Sequence, residues 1–269
     1  MKVRCVWEHN GSDSLLYSTD FVGAFTRGAS KEIAESKMED EIRSYLRWKN
    51  GVGVKYNSGK NAKNNTENEI ENNTAKNIDV GSEMLKIEVE FAQDCPSDLQ
   101  IADADSDVLF DDERKPLTLE EYTELKQLAL KSAADFLRLY ESIPDKDVSC
   151  LPERKTFYGA VPRTAREMYE HTKNVNSYYF GEIEIDADNK GSILECREKG
   201  FRLLENTEGF LKNAVVEGSY GELWSPRKVL RRFIWHDRIH AKAMYRMAVK
   251  TFGRDEIQDI FCFEGCFSE

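Results

Sequence analysis

Apolar side chains recur every third or fourth residue through the C-terminal half of the chain, and at alternate residues through much of its first ninety. The first period is that of a helix with one buried face, the second that of a half-buried strand. The longest helical stretch is SPRKVLRRFIWHDRIHAKAMYRMAVKTFG, Ser225 to Gly253. Ser225 suits the N-cap, Pro226 the first helical position and Gly253 the stop. Its inward seam runs Val229, Phe233, His236, His240, Ala243, Met247. Three further helices are predicted upstream. Thr118 to Glu121 is a capping box that opens a helix to Ile143, ended by Pro144, with Tyr122, Leu125, Ala129, Ser132, Phe136 and Leu139 inward. Thr164 to Glu167 opens a second, to Ile185, with Met168, His171, Val175 and Tyr178 inward. Ser192 to Leu211 is the third, with Ile193, Cys196, Gly200, Leu203, Thr207 and Phe210 inward. Four such helices predict an all-α, up-down four-helix bundle over residues 118–269.

The N-terminal part reads differently. Lys2 to Trp7, Leu15 to Tyr17, Val22 to Thr26 and Met84 to Phe91 are predicted strands, and Lys31 to Trp48 a helix behind Ser30. The order β-β-β-α-β makes a small α+β domain over residues 1–92, so the fold class is α+β multidomain. The polar tract at 55–80 is expected to be a mobile insertion. Residues 93–117 are acidic with two prolines and are expected to be a solvated linker. Asp103, Asp105, Asp107, Asp111 and Asp112 are clustered there, but without the glycine and terminal glutamate of a calcium loop.

Charge narrows the partners. A net charge of -11 argues against a general nucleic-acid binder. No run approaches a membrane span, and MKVRCVWEHNG lacks the apolar core of a signal peptide. Six scattered cysteines without a Cys-x-x-Cys pair favour reduced thiols and hence a cytoplasmic location; the partner expected is a small-molecule substrate.

The chain has four histidines, and three of them, His171, His236 and His240, fall on predicted seams. His236 and His240 are at i and i+4, where two imidazoles point the same way and can grip one ion. Three neutral imidazoles suit a divalent transition metal, zinc or nickel, and leave it open positions at which a thiol or a water is activated. His236-Asp-Arg-Ile-His240 is one substitution from the zinc-protease motif, but Asp reaches less far as a base than Glu. Asp237 is expected to face outward or to take an imidazole proton. Arg227, Lys228, Arg231, Arg232, Arg238, Lys242, Arg246 and Lys250 form a basic face expected to be solvated, or else an anion-binding rim.

Two resemblances sharpen this reading. Tyr17 to Leu46, with Asp20, Phe21 and Gly23 leading through Gly28 into a Glu- and Ala-rich helix, resembles the HicB-like domain, a partial ribonuclease H fold. That family's DNA-binding segment is absent, so the expectation is an accessory domain for packing or for pairing copies as a homodimer. Tyr169-Glu170-His171 with Tyr178-Tyr179, and Arg232 to His240 with Trp235-His236-Asp237 inside it, resemble the DinB-like superfamily over Thr118 to Thr251. The resemblance implies a three-histidine metal site at His171, His236 and His240 and, for some members, metal-dependent transfer of a low-molecular-weight thiol. Glu170, Trp235 and Tyr178 are then candidates for supporting the site or touching substrate. The other reading is a non-catalytic binding or regulatory protein, with an N-terminal interaction domain and a structural metal.

Overall fold

The computed structural model describes residues 1–51, 86–103, 105–156 and 159–264. The expected insertion at 55–80 lies outside the described residues. The fold is mixed α and β, with strands concentrated at the N-terminus and long helices downstream.

Strands β1 (Lys2–His9), β2 (Ser14–Ser18), β3 (Phe25–Gly28) and β4 (Glu88–Pro96) form one sheet in the order β3-β2-β1-β4. β1 pairs antiparallel with β2 and parallel with β4. β3 starts three residues later than expected. Residues 19–24 form instead a tight turn in which Ser18 Oγ accepts from the amide of Phe21, and Gly23 adopts φ +96°. A Cβ at Gly23 would collide with the side chain of Ile234, so this turn needs glycine for a close approach as well as for its backbone.

The expected single helix is two, α1 (Lys31–Ser36) and α2 (Met38–Lys49). Ser30 caps the first. The break at Lys37 contains neither proline nor glycine. There the Ser36 hydroxyl bonds back to the carbonyl of Ile33, and Lys37 Nζ donates to the carbonyl of Arg27.

Four helices follow: α3 (Leu119–Ser142), α4 (Ala165–Gly181), α5 (Ile193–Glu205) and α6 (Pro226–Phe252). Their starts are as the sequence indicated. Thr118, Thr164 and Ser192 each accept from the third following amide, and Glu121, Glu167 and Glu195 return the bond. Ser225 caps α6 and Gly253 ends it at φ +97°. α4 stops at Gly181 and α5 at Glu205, both earlier than expected. α3 and α4 each pack on both α5 and α6.

The inward positions shift in three helices. In α4 the buried line is Met168, Thr172, Asn176, Tyr179, not Met168, His171, Val175, Tyr178. In α5 Leu204 is buried and Leu203 exposed. In α6 Ala243 is exposed, with Met244 inward instead. Each shift is one residue, the drift that a 3.6-residue period accumulates against alternating steps of three and four.

Two expectations are corrected outright. The segment read as a solvated linker is built into the protein: β4 runs on to Pro96, and Ser106, Val108, Leu109, Phe110 and Glu113 are buried. The basic face of α6 is also interior at Lys228, Arg231, Arg232 and Arg238. α6 has α3 and α4 on one side, and the N-terminal sheet with segment 105–113 on the other. Leu15, Tyr17 and Phe25 from one sheet face meet Val108, Phe110 and Trp235. Val3, Cys5 and Leu16 from the opposite face join the main cluster, which also takes in Trp48, Phe136 and Ile234. Carboxylates neutralise three of these cations: Lys228 meets Glu222 just ahead of α6, Arg231 meets Glu113 of the packed segment, and Arg238 meets Glu41 of α2.

Candidate metal centre

Two helices supply the three histidines. His236 and His240 lie one turn apart on α6, and their Nε2 atoms are 3.2 Å apart. His171 comes from α4, its ring 5.2 Å from that of His236 and 4.7 Å from that of His240. One nitrogen from each ring lies within 4.8 Å of the others, and among the described residues no cysteine or carboxylate joins this group. Two histidine nitrogens on one tetrahedral zinc, each ~2.0–2.1 Å from it, are about 3.4 Å apart. The α6 pair is therefore set at chelating distance.

Burial keeps the rings neutral. His236 is buried, and its pKa is held well below the ordinary imidazole value, first by desolvation and then by the charges of His240, His171, Arg232 and Arg197. Desolvation, with His171 adding to it, pushes His240 down to about 3. His171 is lowered by desolvation alone, although its outer edge is exposed. That exposure makes it the solvent-facing member of the group, whereas the sequence placed it on a buried seam. Neutral imidazoles are the form that ligates a cation.

Of the supporting residues expected beside the histidines, none takes that position. Asp237 is fully buried and faces away, accepting from Ser132 Oγ at 2.9 Å and pairing with Arg197 at 3.3 Å. Burial raises its pKa against the opposing effect of Arg197 and Ser132. Glu170 pairs with Lys173 at 2.7 Å on the exposed side of α4. Trp235 points to the sheet, packed against Tyr17 and Phe25. Tyr178 is exposed and packs against Tyr179 and Trp224. The tyrosine beside the histidines is the other member of the Tyr178-Tyr179 pair, Tyr179, whose ring stands edge-on to His236 at 5.9 Å. Its signal was the α4 line itself, which places Tyr179 inward once the period is drawn correctly. His236 Nδ1 is buried without a hydrogen-bond partner among the described residues, where a ligand histidine commonly gives that proton to a carboxylate or carbonyl.

A cavity of about 590 Å³ lies elsewhere, lined by Arg4, Thr19, Phe110, Glu121, Arg227 and Arg231 among others, and no histidine of the group reaches it. Its arginines are already paired: Arg4 with Asp20, Arg227 with Glu121 and Arg231 with Glu113. Size favours that cavity, but chemistry favours the histidines, the only place among the described residues where three potential metal ligands of this kind converge. No protein-family model matches the chain, and comparison with curated proteins and with solved structures gave no match.

Proposed function

We propose that the protein is a divalent-metal-dependent enzyme of the DinB-like type, with His171, His236 and His240 holding a zinc or nickel ion. The convergence of three of the chain's four histidines, from two helices, carries this reading. Helices α3 to α6 are then the up-down four-helix bundle of residues 118–269, and residues 1–92 the HicB-like accessory domain. When bound, the ion supplies a Lewis acid at which a low-molecular-weight thiol, or a water, loses its proton near neutral pH and becomes a nucleophile for a small electrophile.

The chain's own residues do the rest. Desolvation holds His236 and His240 neutral and ready to ligate. Tyr179, itself packed against Phe233, stands edge-on against the inner side of His236. His171, at the exposed edge, leaves the centre reachable from solvent. A three-nitrogen set with an open side fits a catalytic site better than a structural one, which closes its fourth position with a protein ligand.

Untagged protein, never exposed to a metal-affinity column, should carry close to one zinc or nickel ion per chain by elemental analysis. A content near zero, unchanged by added zinc or nickel, would overturn the reading.

A further inference from the structure

Among the described residues, every fully or nearly buried cation on α6 has a carboxylate at ion-pair distance except one. Lys228 has Glu222 at 2.9 Å, Arg238 has Glu41 at 2.8 Å, and Arg231 has Glu113. Below them, Arg197 of α5 has Asp237. Arg232 is buried like the others, but its one hydrogen bond runs from Nη1 to the backbone carbonyl of Ser106 at 2.9 Å, and its Nε has no partner among the described residues. The carboxylates that act on it from a distance are Glu222 and Glu8. Both already have partners: Glu222 has Lys228, and Glu8, through Oε2, has the hydroxyls of Tyr17 and Ser106, while its Oε1 has none among the described residues. Arg232 is instead enclosed by aromatic rings, with its guanidinium carbon 5.4 Å from Tyr179, 5.7 Å from Trp224 and 5.0 Å from Trp235. Ring faces soften the burial of a cation, but they do not neutralise it.

The position of Arg232 gives its unpaired charge a meaning. Arg232, His236 and His240 follow one another at four-residue steps, so they share one face of α6. Tyr179 lies between the first two, 5.4 Å from the guanidinium and 5.9 Å from the His236 ring. Beside Trp224, the exposed ring of Tyr178 borders this end of the group.

We propose that Arg232 anchors a carboxylate of the ligand that the histidine group receives, so that the substrate or its thiol carries one negative charge about a helical turn from the reacting atom. This rests on the metal-centre reading. A monoanion fits better than a phosphate, because one unpaired guanidinium matches one charge and a dianion would bring a second, uncompensated one into the same apolar surroundings.

The test compares 3-mercaptopropionate with its uncharged counterpart 3-mercapto-1-propanol, titrated calorimetrically into zinc-loaded protein. Wild type should bind the carboxylate about tenfold more tightly, the scale of one charge-assisted hydrogen bond. The preference should vanish in Arg232→Gln and survive in part in Arg232→Lys, with zinc content unchanged in both. Should the Gln variant fail to fold, Arg232→Met fills the same aromatic enclosure without charge and replaces it. An unaltered preference without the arginine would overturn the proposal. In a second arm, propionate should raise the melting temperature of chelator-treated wild type and not of the Gln variant. A protein that binds no zinc sinks the metal-centre reading, and this second arm still decides the role of Arg232: an equal rise in both proteins counts against it.

Discussion

Replacing Glu41 by alanine should cost about 3–5 kcal/mol of stability, the range for removing one partner of a buried ion pair. Glu41 lies on α2, buried, with Arg238 at 2.8 Å and Lys242 at 2.7 Å, both on α6. Burial by itself would raise its pKa, but the two cations outweigh that and hold its carboxyl below the usual carboxylate range. Without it, the fully buried guanidinium of Arg238 is left with the aromatic rings of Tyr45, Trp48 and Phe263 and no counter-charge. The melting temperature should fall by roughly 10 °C. Glu39→Ala is the control. It breaks a partly exposed i,i+4 pair with Arg43 on the same helix and should change stability by no more than about 0.5 kcal/mol. Glu41→Leu combined with Arg238→Met should recover part of the loss, because two apolar side chains replace two charges. A loss in Glu41→Ala no larger than in Glu39→Ala would show that the pair does not join the N-terminal region to α6.

That prediction concerns contacts which no local pattern announces. Glu41 and Arg238 are 197 residues apart, and Arg231 and Glu113 are 118 apart. Read along the helix, Lys228, Arg231, Arg232 and Arg238 look like a solvated face, since an isolated helix exposes its charges. Segments distant in sequence cover them: Glu113 and Glu41 come to Arg231 and Arg238, and the carbonyl of Ser106 comes to Arg232. The acidic segment around Asp105 to Glu113 misled for the same reason. Its charges suggested solvent, while Val108, Leu109 and Phe110 between them fill the space over α6. What was legible depends on near neighbours in sequence. Thr118 with Glu121, Thr164 with Glu167 and Ser192 with Glu195 fix helix starts across three residues, and the i,i+4 spacing of His236 and His240 fixes their common direction. The meeting of His171 with that pair lies between these extremes. Its helix was legible, but its exposed edge was not, because a one-residue error in the α4 line moves a side chain from the core to the rim. Asp237 shows the limit most plainly. Its neighbour in sequence is a candidate ligand, yet Ser132 and Arg197 hold it on the far side of the helix.

Chelation should lower the melting temperature of wild-type protein at pH 7.5, and His171→Ala should lose most of that response. His171 alone brings α4 to a site otherwise confined to α6. Because it is exposed, its removal should cost little packing, within about 0.5 kcal/mol in metal-free protein. The metal-linked part is larger, about 2.7 kcal/mol when the free ion stands at 100 times its dissociation constant. A remaining i,i+4 pair binds more weakly and retains a small fraction of it. The pH dependence has a definite sign. Desolvation sets the folded-state pKa values of His236 and His240 below the ordinary value, that of His240 at about 3. Groups depressed in this way leave metal-free stability complete above the unfolded-state value, ~6.5, and subtract from it as pH falls from there toward the folded-state value. At pH 5.5 the loss is on the order of 1 kcal/mol for each of the two α6 rings. Protons also compete with the ion for the same nitrogens, so the chelator response should shrink over the same interval. Thermal unfolding at pH 5.5 and 7.5, with and without chelator, separates these effects. The metal-free pH loss should persist in His171→Ala, because His236 and His240 remain, while the chelator response should not. A chelator response of equal size in both proteins would remove His171 from the site and reduce it to the α6 pair.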